Sequence, residues 1–237
     1  MFGIFTGVFI NAGLVVLGGL AGTLFKTEKL QRIGDRIFQA FAIFVMVLGI
    51  SGSINLSQPI AILVSLAIGV GIGEIADIDK QFNRFGYWLQ FKLTKDADPE
   101  NNAFAQGFIN ASLLFCIGSM TFLGALESGI QNVHTTYIAK GVIDCVSGIT
   151  LAMGSGIGVC FSAISVIVYQ GLLVVFASVL SGVLTAEVIT LCSTIGSLFL
   201  VAIGLNMLGL AKIKVANFLP AMFMPMIWQA LTLLFSL

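Results

Sequence analysis

The chain has 237 residues, 58% of them hydrophobic and only 9% charged, against about 25% charged in an ordinary soluble domain. That much apolar surface excludes a water-soluble fold, and apolar stretches running almost without pause from Phe2 to Leu237 leave no room for a soluble domain between them. A formal net charge of zero also removes the electrostatic case for nucleic acid, whose binding rests on many Lys and Arg contacts to phosphate.

The composition predicts one all-α membrane domain over residues 1–237. A helix crossing the hydrocarbon core needs about 20 apolar residues, with roughly 17 to 25 tolerated. That criterion places eight transmembrane spans near residues 2–25, 37–54, 57–76, 103–126, 137–154, 159–180, 186–209 and 217–236.

The first span opens without the positive n-region of a cleavable signal, so it is expected to stay as a helix. It carries Asn11, and its Gly13, Gly18, Gly19 and Gly22 are small residues of the kind that let membrane helices approach. Span three ends on Gly69-Val70-Gly71-Ile72-Gly73-Glu74, read as packing glycines rather than a nucleotide fingerprint because no βαβ unit surrounds them. Residues 77–102 form the one sizeable linker. There Phe82, Phe85, Trp88 and Leu89 recur at helical spacing among Lys80, Arg84 and Lys92, predicting a helix in the membrane interface.

Span four contains Asn110 and, further on, Gly118-Ser119-Met120-Thr121; Glu127 ends it and His134 lies in the loop that follows. A lone His has no second ligand at metal spacing, so His134 reads as a loop residue or, more sharply, as a pH-responsive group near Asp144. Span five holds Lys140, Asp144 and Ser147. A carboxylate at depth costs about 2.5 to 3.5 kcal/mol on insertion scales and by default marks an ion, proton or substrate path; the plainer reading is an ion pair with Lys140, one turn away, the lysine snorkelling outward. Gly154-Ser155-Gly156-Ile157-Gly158 is the break before span six and suits either a hairpin or a re-entrant turn. Gln170 is a third amide at depth, in span six, and Glu187 begins span seven. Glu74, Glu127 and Glu187 read as interfacial anchors, with Glu74 and Glu127 the alternatives for a gate or ion entry. Cys116, Cys145, Cys160 and Cys192 fall in apolar stretches and form no disulfide or zinc pattern. No metal and no cofactor are expected.

Basic residues sort by loop. Lys26, Lys29, Arg32 and Arg36, then Lys80, Arg84, Lys92 and Lys95, then Lys212 and Lys214 occupy alternate loops, so ten of the eleven fall on one side of an eight-span chain. That side is read as cytoplasmic, with both termini outside.

Phe9-Ile10-Asn11-Ala12 recurs as Phe108-Ile109-Asn110-Ala111, with seven identities in the sixteen positions from Phe9 to Leu24. Three spans separate the copies. Residues 1–76 and 103–180 are therefore expected to be inverted repeats, with two additional helices in 181–237, an arrangement that in secondary transporters puts the substrate at the repeat interface.

Phe108-Ile109-Asn110-Ala111, Gly118-Ser119-Met120-Thr121, Lys140 to Ser147, Tyr169-Gln170-Gly171 and Asn217-Phe218-Leu219-Pro220 together resemble an uncharacterised bacterial integral membrane family, the group typified by YdfK and YqgA. The resemblance covers the whole chain and implies a multi-pass protein of the bacterial inner membrane, loosely described as a transporter. It implies no substrate and no catalytic residue.

The functional expectation is a secondary transporter or channel for a small solute or ion. Its site would draw on Asp144, Asn110, Gln170, Asn11, Thr121, Ser147 and Lys140. The alternative is a non-transporting scaffold or regulatory subunit in which these polar groups only join helices. An enzyme is not expected, because no nucleophile with a base and no metal cluster is evident. The expected partners are the lipid bilayer and the solute, and the small-residue faces are compatible with a homodimer.

Overall fold

The computed structural model describes residues 3–24, 28–54, 57–94 and 103–235. Phe2, Phe25, Lys26, Lys95 and Leu237 lie outside the described residues, as do the side chains of Lys29, Arg32 and Leu89.

Among the described residues the chain is helical, without strands: α1 Thr6–Leu24, α2 Glu28–Ser53, α3 Pro59–Ala76, α4 Ile78–Thr94, α5 Ala103–Cys116, α6 Ser119–Leu126, α7 Thr135–Ser155, α8 Gly158–Val175, α9 Ala177–Leu180, α10 Ala186–Met207 and α11 Leu219–Phe235. The boundaries have local causes. Pro59 opens α3 at the position where a missing N–H costs nothing. Asp77 closes it in the left-handed region, its N–H returning to the carbonyls of Gly73 and Glu74. The Thr185 hydroxyl accepts from Val188 N at the start of α10.

Seven helices are long and apolar enough to cross a bilayer, and an eighth crossing exists if the bent pair formed by α5 and α6 counts as one. Along α3, Ile60 is 76% exposed, Leu63 66%, Ile68 51% and Ile75 89%; an apolar stripe of this kind is not sustained in water and belongs against lipid. Seven to eight crossings agree with the expected count of about eight, with one change. Span four is not continuous: α5 stops at Cys116, Gly118 takes φ 125°, and α6 leaves at 60° to α5. The Gly156 region, expected to be either a hairpin or a re-entrant turn, is a hairpin, with α7 and α8 both at full length.

Helix directions follow from which residues meet. Gly7 lies against Tyr137 and Gly22 against Ile149, so α1 and α7 run parallel; Gly19 lies against Cys160 and Asn11 bonds Gln170, so α8 runs antiparallel to α1. Gly204 meets Ala42 while Gly49 meets Val201, making α2 and α10 antiparallel, and Gly69 with Ala221 and Gly73 with Asn217 do the same for α3 and α11. Phe104 against Gly158 and Ser112 bonded to Ser165 make α5 and α8 parallel. Every direction agrees with strict alternation through eight crossings.

Close approach explains the tightest pair. A Cβ on Gly18 or Gly22 would collide with the carbonyl oxygen of Cys145 or Ile149, so α1 and α7 touch backbone to backbone. Gly13 and Gly71, expected to pack in the same way, have open space around them. The pairings do not show the exchange that an inverted repeat requires. A two-fold axis relating spans one to three to spans four to six would swap α1 with α5 and α6, and α2 with α7, so the intimate α1–α7 contact would need an equal contact of the fourth span with α2. Instead α2 packs mainly on α10 and on α7.

Candidate functional site

Near the middle of α7, Lys140 and Asp144 form an ion pair with Nζ and Oδ2 2.5 Å apart, and each residue is only 5% exposed. The i, i+4 spacing puts both on one helical face. The lysine does not snorkel out as the plainer sequence reading had it; both charges are enclosed by protein. Asn11, on α1, donates from Nδ2 to Gln170 Oε1 on α8 at 3.2 Å and faces the Asp144 carboxylate. The absence of a side chain at Gly141 permits this, because a Cβ there would come within 3.0 Å of Asn11 Cα. Four of the expected residues, from three helices, thus form one buried polar chain. Asn11 Oδ1 and Gln170 Nε2 have no protein partner, an unusual condition for buried amides.

The break in the fourth span lies beside this chain. Cys116, the last residue of α5, is within electrostatic reach of both Lys140 and Asp144. Ile117 N still donates to Leu113 O at 3.1 Å, and Thr121 N donates to Gly118 O at 3.2 Å. The Tyr137 hydroxyl donates to the Thr121 carbonyl at 2.9 Å. Buried Thr121 keeps a hydroxyl with no protein partner. Non-helical backbone at membrane depth is tolerated where protein buries it or where it lines a cavity.

A cavity of about 490 Å³ runs from α4 toward the break, lined by α4, α5, α8 and α11. Its walls are mostly apolar, with the bonded hydroxyls of Ser112 and Ser165, and Cys116 and Tyr169, among the lining. Asp144, Asn110 and Gln170 are not among its lining residues. Asn110 is half-buried on α5 and no described contact joins it to Asp144 or Gln170; Ser147 is half-buried, nearly one turn beyond Asp144.

The glutamates join helix ends. Glu74 is exposed and accepts from Asn217 Nδ2 at 2.5 Å and from Lys214 Nζ at 3.5 Å. Glu127 accepts from Thr136 N at 3.3 Å at the start of α7, and Glu187 is bonded to Gln58. His134 Nδ1 lies 3.1 Å from Ser128 Oγ. It stands ten residues before Asp144, roughly 15 Å along the helix, and is therefore not placed to act on it. Asn217, to which the sequence assigns no role beyond its motif, is fully buried and clamps α3 to α4: its Nδ2 donates to Glu74 and its Oδ1 accepts from Asp79 N at 2.7 Å. Burial raises the Asp79 carboxyl above its ordinary value, against the pull of Lys214; Asp77 and Glu74 reinforce the rise, and Asn83 offsets part of it. Tyr137, Tyr169 and Cys116 went unremarked as site residues because aromatic and thiol groups in an apolar run read as core.

Two bacterial relatives match nearly end to end. "Uncharacterized membrane protein YdfK" of Bacillus subtilis (strain 168) is 29% identical over 223 residues, covering 92% of this chain and 93% of the relative. "Uncharacterized protein YqgA" of Escherichia coli (strain K12) is 28% identical over 222 residues, covering 93% and 94%. No solved structure matches the chain. The model of the family described as "Protein of unknown function (DUF554)" matches residues 6–230, and with an apolar helical architecture that only a bilayer can accommodate, the chain is a membrane protein and belongs to that family.

Proposed function

We propose that the protein is a secondary transporter or channel for a small polar or charged solute, with Asp144, Lys140, Asn11, Gln170 and Thr121 forming its mid-depth site. The observation that carries this reading is the meeting of a buried ion pair, unpartnered amide atoms and a broken span at one depth. Ionisable groups in a membrane interior are costly and are usually retained for a path, and discontinuous helices are a recurring means of binding in transporters. The closed Lys140–Asp144 pair suits a solute that replaces each charge's partner in turn, which favours a zwitterion or an ion with its counter-charge over a bare cation. Orientation follows the basic loops: cytoplasmic for Lys80, Arg84, Lys212 and Lys214, with both termini outside, in the bacterial inner membrane.

The same closed pair favours the second reading, a scaffold whose polar groups only hold helices together. Reconstitution into proteoliposomes separates the two. Flux of a panel of amino acids, small organic acids and inorganic ions is measured for the parent and for Asp144→Asn, which keeps shape and removes charge. Loss of a parental flux in a variant that inserts and purifies normally supports transport. Full flux in the variant shows that Asp144 is structural.

A further inference from the structure

We propose that the cavity between α8 and α11, floored by α4, holds an acyl chain of an anionic phospholipid whose headgroup is met by Arg84 and Lys92. Three observations identify the occupant. The walls are hydrocarbon in character, with Phe82, Phe85, Phe108 and Phe223 among them, and the volume of about 490 Å³ lies in the usual range for small-ligand sites. The side opens toward lipid: Val168 and Leu172 on α8, themselves part of the lining, are 55% and 53% exposed, so a chain can enter from the bilayer without crossing water.

The third observation concerns charge. Phe85, which lines the cavity, stacks on Trp88 with centroids 5.7 Å apart, and Lys92 Nζ sits 5.1 Å from the Trp88 ring centroid. Exposed Arg84 lies on the neighbouring face of the same helix. Aromatic rings with adjacent bases mark the headgroup level of a bilayer. A single chain in a groove gives only marginal binding, so the bases confer the selectivity, about fivefold for each, equivalent to roughly 1 kcal/mol. A second copy seated here about a two-fold axis would face its own Arg84 and Lys92 with the same charges.

The purified full-length chain, stripped of lipid in detergent, is titrated with dioleoylphosphatidylglycerol, dioleoylphosphatidylcholine and glycerol phosphate, with binding read by native mass spectrometry and thermal melting. Phosphatidylglycerol is expected to bind at least tenfold tighter than phosphatidylcholine, and glycerol phosphate not to bind measurably. Arg84→Gln with Lys92→Gln is expected to bring phosphatidylglycerol down to the phosphatidylcholine affinity. Leu172→Trp on the rim should weaken both lipids about tenfold, with Val168→Trp as the substitute if that variant does not fold. Equal affinity for the two lipids, lipid binding insensitive to the rim variants, or efficient interchain cross-linking through Val168→Cys would each overturn the proposal, the last by showing that a second copy fills the cavity.

Discussion

Replacing Lys140 with Met while Asp144 remains should destabilise the protein by about 3 kcal/mol. The two groups lie 2.5 Å apart and each residue is 5% exposed, so deleting the ammonium strands a carboxylate that water cannot reach. Breaking a buried pair costs about 3 to 5 kcal/mol, and an unpaired charge at a helix centre costs about 2.5 to 3.5 kcal/mol on insertion scales. The lower end applies because the Asn11 amide still faces the carboxylate. A loss of about 3 kcal/mol lowers the folded-to-unfolded ratio roughly 150-fold and the melting temperature by about 6 to 12 °C for a chain of this size. The double variant Lys140→Met with Asp144→Leu removes both charges and should return to within about 1 kcal/mol of the parent. Melting in lipid nanodiscs, followed by tryptophan fluorescence, measures all of these. If the double variant is as unstable as the single one, the pair is not an electrostatic unit and the reasoning fails. Under the transport reading, the double variant is stable yet inactive.

Gly73→Ala places a Cβ against the Asn217 carbonyl oxygen and should cost about 1 to 3 kcal/mol by overpacking, while Gly71→Ala, with open space around it, should be neutral or stabilising; comparative melting checks both. Because the folded Asp79 carboxyl is held above its ordinary value of 3.8, folding favours its protonated form. Its contribution is fully present below the unfolded value and is lost as pH rises through the folded one. Asp79→Asn should therefore be more stable than the parent near pH 7 and flatten stability across the acid range, as melting against pH would show. Cysteines introduced at Leu210 and Gly182, both exposed between spans, should label with an impermeant thiol reagent from opposite sides, Gly182 from outside intact cells. Labelling of both from one side would reject the alternation.

The number of crossings was legible in the sequence because a bilayer imposes a one-dimensional rule: about 20 apolar residues per helix, with charges left at the ends. The same rule marked Asp144 and Lys140, since a charge in an apolar run is costly whatever its neighbours. Helix pairing lay beyond it. Phe9-Ile10-Asn11-Ala12 and Phe108-Ile109-Asn110-Ala111 are identical, yet Asn11 joins Gln170 on α8 while Asn110 is half-buried apart from them. A side chain's partner depends on which helix backbones approach, and approach is set by surfaces such as Gly18 against Cys145 and Gly141 against Asn11, which have no signature along the chain. The break at Gly118 was hidden for a related reason. One glycine in an apolar run is tolerated inside a helix or ends it; here Gly118, at φ 125°, divides the fourth span into two helices, α5 and α6. Composition and charge thus determined that this chain inhabits a membrane and how often it crosses. Tertiary packing alone decided which polar groups meet there, because contacts between distant helices depend on complementary shape in three dimensions and lipid supplies no hydrophobic drive to select them.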